Sequence, residues 1–154
     1  MLCAYISCEM TKITPNIEDY LETILEISNE NGSARVNEIA TRLDVKNPSV
    51  TQQIQKLSGM GLVSHKSYGS VKLTQEGRDI AERTLKRHLM FVELLGELLH
   101  LPENIAEDDA CRMEHAITPQ TMKRLCYLLD FMREKKLFNE LAQYIESRLE
   151  GENL

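Results

Sequence analysis

Apolar residues recur at helical spacing along most of this 154-residue chain, and one short stretch departs from that spacing. Segments such as "IEDYLETILEI" and "FNELAQYIESRLE" place apolar residues three and four positions apart, which predicts amphipathic helices. The stretch "LVSHKSYGSVKLT" instead alternates apolar and polar residues around a turn at Gly69, which predicts a β-hairpin. We therefore expect a mainly α-helical protein with one small hairpin.

Three helices are predicted before the hairpin. The first begins with Thr14 as its N-cap and Pro15 in its first turn, and the second covers "RVNEIATRLDV". The third covers "NPSVTQQIQKLSGMG", with Asn47 as its N-cap and Pro48 in its first turn. Two short helices joined by a tight turn and followed by a hairpin are typical of a winged helix-turn-helix. In that fold, the second of the two helices enters the major groove of DNA.

The chain after the hairpin is predicted to be entirely helical. A long helix of about six turns starts at Thr74 and is broken near Pro102. Another helix is expected over residues 103–116, and the next begins with Thr118 as its N-cap and Pro119 in its first turn. A last amphipathic helix covers "FNELAQYIESRLE".

The net charge of −6 conceals an uneven distribution along the chain. Residues 33–90 contain ten Lys and Arg against five Asp and Glu, a net charge of +5. The remaining residues contain eight against nineteen, a net charge of −11. A basic segment between acidic flanks favours a protein whose middle part contacts phosphates. An uneven but merely solvated surface is the alternative.

The third predicted helix and its basic neighbours supply the candidate DNA contacts. Its amide and hydroxyl side chains can bind base edges, and its proline can contact a thymine methyl group. The lysines and the arginine would bind backbone phosphates. A polar helix face that is only solvated is the alternative. The candidate DNA-binding residues are Arg35, Lys46, Asn47, Pro48, Ser49, Thr51, Gln52, Gln53, Lys56, Lys66 and Lys72.

A second group of candidate residues lies in the segment "DDACRMEHAIT". Cys111, Glu114 and His115 stand at positions i, i+3 and i+4, which share one face of a helix. Thiolate, carboxylate and imidazole together suit a first-row divalent metal ion. A solvated helix surface with a buried cysteine is the alternative.

Three further residues of ligand type lie in other predicted helices. Asp19 and Glu22 stand at i and i+3 in the first helix, and His88 lies inside the long helix. Each of them alone is more typical of an ordinary solvated or packed side chain. Together with the first group, they form a candidate metal site that draws on three helices.

Residues 13–134 resemble the iron- and manganese-dependent repressor family of the diphtheria toxin repressor and the manganese transport regulator. The segments that carry the resemblance are "IEDYLETILEI", "ARVNEIATRLDVKNPSVTQQIQKLSGMGLV", "LTQEGRDIAERTLKRH" and "DDACRMEHAIT". The resemblance implies a homodimer that binds a double-stranded DNA operator through its winged helices. It also implies a helical C-terminal region that binds metal and dimerises, and a divalent metal that activates repression of metal-uptake genes.

The resemblance implies a hybrid ligand set. The pattern of Cys111, Glu114 and His115 is similar to the iron-type site, where manganese-type members have glutamate in place of the cysteine. Asp19, Glu22 and His88 instead match manganese-type ligands, and the iron type has methionine at the position of Asp19. Val92 and Glu107 stand where the iron type has further ligands, so the resemblance does not carry over that second site. Mn²⁺ or Fe²⁺ is the expected cofactor, and a thiolate would also admit Zn²⁺ or Co²⁺. The implied metal ligands are Asp19, Glu22, His88, Cys111, Glu114 and His115.

The resemblance also implies a domain organisation. We expect an N-terminal extension at residues 1–12 that is poorly ordered, with Met10 as an alternative start. A winged helix-turn-helix domain is expected at 13–74, and a helical metal-binding and dimerisation domain at 75–154. We expect the two-domain form of the family, without the SH3-like third domain of its longer members.

The expected location is the cytoplasm. No stretch approaches the ~20 apolar residues that span a bilayer, and the first residues lack the features of a signal peptide. The four cysteines show no regular spacing typical of a disulfide framework, so we expect reduced thiols and no membrane association.

Two other functions compete with a metal-dependent regulator. A metal-independent winged-helix regulator that senses a small organic ligand would keep the middle of the chain and make the ligand-type residues incidental. A metalloenzyme is the second, because Cys-x-x-Glu-His resembles a reversed zinc-protease motif. The segment lacks a second histidine at i+4 spacing, so we expect neither enzymatic activity nor a small-molecule substrate.

Overall fold

The computed structural model describes residues 13–65 and 69–152, and these form a mainly helical protein with one hairpin, as expected. The extension predicted for residues 1–12 lies outside the described residues. No helix among the described residues is long and apolar enough to cross a membrane. The elements are α1 (Pro15–Asn31), α2 (Val36–Arg42), α3 (Asn47–Gly59), β1 (Val63–His65), β2 (Val71–Leu73), α4 (Gln75–Val92), a π-helix (Glu93–Leu98), α5 (Glu103–Met113), α6 (Pro119–Lys135) and α7 (Phe138–Glu152).

The described chain divides into two compact units, and the division falls within α4 between Leu85 and Lys86. In the N-terminal unit, α1, α2 and α3 pack around one core because each turns an apolar stripe inward. The largest buried side chains of this core come from α1, α2 and α3. They are Leu21, Ile24, Leu25, Ile27, Ile39, Val50, Ile54 and Leu57.

The hairpin packs into the same unit as the wing. Its strands pair antiparallel, with Val63 opposite Leu73. Strand β2 also forms an isolated bridge with Ala34, two residues before α2, in which Val71 N donates to Ala34 O at 2.8 Å. The sequence did not predict this isolated bridge. Gly77 in α4 has to be glycine because a Cβ there would collide with the backbone carbonyl of the residue that precedes β1.

The C-terminal unit has a second core of its own. It is built from the end of α4, the π-helix, α5 and α6, while Phe138 and Leu141 of α7 pack against it. The buried residues of this core are Met90, Phe91, Leu94, Leu95, Leu98, Ala106, Ala110, Met122, Cys126 and Leu129.

The long helix expected from Thr74 does not continue as an α-helix. It changes to a π-helix at Glu93, where Leu99 N donates to Leu94 O, five residues back, at 3.1 Å. Three leucines of the π-helix, Leu94, Leu95 and Leu98, are buried in the core of the C-terminal unit. His100 then turns the chain with a φ of 60° before α5.

Two predicted helix ends also differ from the structure. The N-cap of α3 is Lys46, and Asn47 is the first helical residue, whose carbonyl accepts from the Thr51 hydroxyl at 3.0 Å. Helix α5 ends at Met113 rather than at residue 116, so Glu114 is its C-cap. The N-caps predicted at Thr14 and Thr118 are confirmed, and the Thr118 hydroxyl accepts from Thr121 N at 3.2 Å.

Candidate metal centre and nucleic-acid interface

Helix α3 presents a polar face to solvent. Its apolar stripe of Val50, Ile54 and Leu57 is buried, which fixes the rotation of the helix in the N-terminal unit. The opposite face is therefore free to meet DNA. The predicted contact residues that are exposed on this helix are Asn47, Pro48, Ser49, Thr51, Gln52 and Lys56.

Gln53 departs from this arrangement. It was predicted as one of the exposed positions, but it is half-buried beside Ile54, at the edge of the apolar stripe. Its side-chain Nε2 is shielded from solvent and has no hydrogen-bond partner among the residues that the structure describes. Its side chain is therefore less accessible to a base edge than that of the exposed Gln52.

Two of the basic candidates cap helices, and a third lies on the hairpin. Arg35 is the N-cap of α2, where its backbone N donates to Glu38 Oε2 at 2.8 Å, and Lys46 is the N-cap of α3. Lys72 lies on β2 of the wing, and all three side chains are exposed. Helix N-termini and lysines are suited to phosphate oxygens. Lys66 lies outside the described residues.

In the C-terminal unit, a buried carboxylate lies between two imidazoles. Glu114 is only 2% exposed. Its Oε2 lies 2.9 Å from His88 Nδ1, and its Oε1 lies 3.1 Å from His115 Nε2. The structure thus brings three of the six predicted ligands together, with one carboxylate shared by two imidazoles.

The local fold explains this convergence. Ala106 and Ala110 are buried, and their small side chains allow α5 to pack closely into the core. Glu114 N donates to Ala110 O at 3.0 Å, so the last turn of α5 directs the Glu114 side chain inward. His115 follows in the turn after the helix and is mostly buried as well.

The charge state of Glu114 depends on its two neighbours. Burial raises the pKa of the Glu114 carboxyl, while hydrogen bonds and opposite charge from His115 and His88 lower it. The lowering effects prevail, and the pKa lies below the ordinary value of 4.5. The carboxylate is therefore ionised at neutral pH, which is the state that a metal ligand requires.

Glu107 joins this cluster, although the sequence did not identify it as a site residue. Its Oε2 lies 2.9 Å from His88 Nε2, so both ring nitrogens of His88 face carboxylates of α5 and its cap. Its spacing in the sequence could have identified it. Glu107 precedes Cys111 by four residues and Glu114 by seven, which places them on the same helix face.

Three predicted ligands remain, one in the C-terminal unit and two in the N-terminal unit. Cys111 lies on α5, one turn before Glu114, and is exposed. Asp19 and Glu22 lie on α1 in the N-terminal unit and are half-buried. The role of these three residues as ligands stays a prediction.

Helix α6 exposes an unusual apolar face in the C-terminal unit. Tyr127, Leu128 and Phe131 each leave about half of their surface in solvent. The ammonium of Lys123 lies 5.8 Å from the Tyr127 ring centre, and that of Lys135 lies 6.0 Å from the Phe131 ring centre. Two exposed aromatic rings on one helix are typical of a contact surface for another chain.

Two domain families match the chain. The iron dependent repressor N-terminal DNA binding domain matches residues 12–71. The iron dependent repressor metal binding and dimerisation domain matches residues 74–137. The first match covers α1, α2, α3 and β1, and the second contains the buried carboxylate cluster.

The chain is also similar to individual regulators. It is 31% identical to the HTH-type transcriptional regulator MntR of Oceanobacillus iheyensis over 145 residues, which cover 89% of this chain and 98% of that protein. It is 32% identical to the diphtheria toxin repressor of Corynebacterium diphtheriae over 120 residues, which cover 78% of this chain and 53% of that protein.

A solved structure of a manganese-dependent transcriptional repressor in complex with manganese has the same fold, with a TM-score of 0.68 and 29% identity. The match covers 75% of this chain and 53% of that one. The chain thus spans nearly all of MntR and about half of the longer repressors.

Proposed function

The chain belongs to the iron-dependent repressor family, and on that premise we propose that it represses transcription when a divalent metal ion raises its affinity for operator DNA. The observation that carries the proposal is the buried Glu114 carboxylate held between His88 and His115. Burying an ionised carboxylate costs free energy unless cationic groups neutralise its charge. Two imidazoles and a carboxylate are the donors that first-row divalent ions prefer.

We propose Glu114, His88 and His115 as three ligands of this ion. Asp19 and Glu22 are proposed as two further ligands because they match manganese-type ligand positions. The ion would supply positive charge to these carboxylates, in place of protons on the imidazoles. An oxygen- and nitrogen-rich set favours Mn²⁺ or Fe²⁺.

Cys111 is proposed as the sixth ligand, and it decides the metal preference. A thiolate favours softer ions such as Fe²⁺, Co²⁺ or Zn²⁺ over Mn²⁺. With cysteine at this position, we expect a broader metal response than glutamate would give. The Co²⁺ complex should then have a thiolate-to-metal charge-transfer band in the near ultraviolet. That band should be lost in Cys111→Ser and kept in Cys126→Ser, a matched change at a buried core cysteine.

The DNA-reading residues act through two kinds of contact. Gln52, Ser49 and Thr51 offer donors and acceptors to base edges in the major groove. Arg35, Lys46, Lys56 and Lys72 bind phosphates and fix the register. Lys66 is proposed as a further phosphate contact.

A homodimer is part of the proposal. Tyr127, Leu128 and Phe131 on α6 offer exposed apolar surface in the unit that matches a dimerisation domain. A two-fold dimer presents two recognition helices to a palindromic operator, which requires a separation of ~34 Å between successive major grooves. We propose that metal binding selects the arrangement that meets this spacing. Metal and DNA then each raise the affinity for the other.

The family members compared with this chain are named as transcriptional regulators and repressors. We therefore propose neither an enzymatic activity nor a small-molecule substrate for this chain, and we propose that it acts in the cytoplasm, where operator DNA is located. The winged helix would serve equally well in a metal-independent regulator. The paired imidazoles around Glu114 are what favour metal over an organic effector.

The experiment is a gel shift with genomic fragments that the protein itself selects, across Mn²⁺, Fe²⁺, Co²⁺ and Zn²⁺ at micromolar free ion. We expect retarded complexes with at least one of these ions and none with a chelator. A fragment of scrambled sequence is the control for nonspecific binding. Equal retardation with metal and with chelator would contradict the proposal and favour the metal-independent regulator.

A further inference from the structure

The imidazole of His88 lies between two carboxylates that differ sharply in their surroundings. Its Nδ1 faces Glu114, whose side chain is 1% exposed, and its Nε2 faces Glu107, whose side chain is 49% exposed. Both distances are 2.9 Å. One side of the ring is therefore directed into the cluster, and the other is directed toward solvent.

We infer that Glu107 is the positioning residue for His88: it accepts the Nε2–H and leaves Nδ1 as the atom that binds metal. An imidazole that ligates a metal uses one nitrogen, and it usually donates the N–H of the other to a carboxylate or carbonyl. That bond fixes the tautomer and the ring orientation, and it makes the ligating nitrogen more basic. This inference rests on the proposed function.

The assignment of the two nitrogens follows from what surrounds Glu114. Both oxygens of this buried carboxylate face imidazole nitrogens, Nδ1 of His88 and Nε2 of His115. These three groups share one small volume and can serve one ion. Glu107 lies on the other side of the His88 ring, where it accepts a hydrogen bond without joining that volume.

The position of Glu107 on α5 holds its carboxylate at a fixed place beside His88 Nε2. It lies two turns before Glu114 on one rigid helix, so the two carboxylates keep a fixed separation along α5. The ring of His88 comes from α4 and spans the two. The pairing of Glu107 with His88 therefore follows from how α4 and α5 pack.

The test compares Glu107→Ala and Glu107→Gln with Glu103→Gln, an exposed glutamate one turn earlier on α5. Calorimetric titration with Mn²⁺ and with Co²⁺ measures affinity. We expect Glu107→Ala to lose about 10–100-fold in metal affinity. Glu107→Gln should lose less because its amide oxygen still accepts, and Glu103→Gln should match the wild type. Without metal, Glu107→Ala should lower the melting temperature only slightly because the Glu107 side chain is 49% exposed, and both glutamine variants should match the wild type.

A spectroscopic measurement reads the tautomer directly. In nitrogen-15-labelled protein loaded with cadmium-113, we expect metal coupling to His88 Nδ1 and a proton on Nε2. Coupling through Nε2, or equal metal affinity in Glu107→Ala and Glu103→Gln, would overturn the inference while leaving the proposed function intact. A wild type that binds none of these ions would overturn both.

Discussion

The two units of this chain use their polar side chains in opposite ways. In the N-terminal unit, the polar residues that carry function lie exposed on α3, and an apolar stripe beneath them sets their direction. In the C-terminal unit, the central polar residue, Glu114, is buried, and neighbouring side chains satisfy it. The first arrangement follows from local helical spacing, whereas the second depends on which side chains the tertiary fold brings together.

This difference predicts different sensitivities to mutation. An exposed glutamine costs the fold little when it is replaced, so its loss should appear only in DNA binding. A residue of the buried cluster leaves a charged partner without its counter-group when it is removed, so its loss should appear in metal binding and in stability. Substitutions in each unit, measured for DNA binding, metal binding and stability, test these two expectations separately.

The largest effect is expected from His115→Ala. It deletes a proposed ligand without replacing it, so the metal-dependent gain in operator affinity, on the order of 5–150-fold for coupled sites, should disappear. Fluorescence anisotropy with a labelled operator measures that gain. His100→Asn is the control because His100 is exposed in the same unit and asparagine tolerates its positive φ. An undiminished metal response in His115→Ala would show that His115 is not a ligand of the activating metal.

Gln52→Ala should reduce specific DNA binding without changing the metal response. The loss of base-edge hydrogen bonds should cost about 1–3 kcal/mol of specific binding free energy. Lys56→Ala should instead weaken all DNA sequences similarly and lower the slope of log affinity against log salt by about 1. Both are measured by anisotropy over a salt series. A Gln52→Ala protein that binds its operator like the wild type would show that α3 does not read bases at this position.

The sequence was sufficient for most of the N-terminal unit. Periodicity located α1, α2 and α3, and the alternating stretch located the hairpin, because each apolar stripe is read directly from residue spacing. Gln53 was misjudged because it lies at the edge of that stripe, where spacing does not decide between solvent and core. The pairing of Ala34 with Val71 depends on a contact distant in sequence and has no local signal.

The C-terminal unit was less predictable. Spacing placed Glu114 and His115 side by side, but the pairing of His88 with both Glu107 and Glu114 depends on how α4 and α5 pack. The π-helix at Glu93–Leu98 was missed because it has the same apolar composition as an α-helix. The types and spacing of residues in the sequence indicate where a cluster of ionisable side chains lies. The tertiary fold decides which of these side chains form hydrogen bonds with one another.

The smallest effect is expected from pH in the metal-free protein. The pKa of Glu114 is lower in the folded state than its ordinary value, so its stabilising contribution is present above pH 4.5 and is lost as pH falls through the folded pKa. Urea unfolding should therefore give a difference in unfolding free energy between wild type and Glu114→Gln that shrinks below pH 4.5. A difference that stays constant across that range would contradict the assigned pairing with His88 and His115.

Thermodynamic reciprocity tests the central claim most directly. Operator affinity is measured with saturating Mn²⁺ and with chelator, and Mn²⁺ affinity is measured with and without operator. If metal at the Glu114 cluster activates DNA binding, the two ratios are equal and exceed one, and both fall to one in His115→Ala. A wild-type protein whose Mn²⁺ affinity is the same with and without operator, while it still binds the operator, would contradict the account.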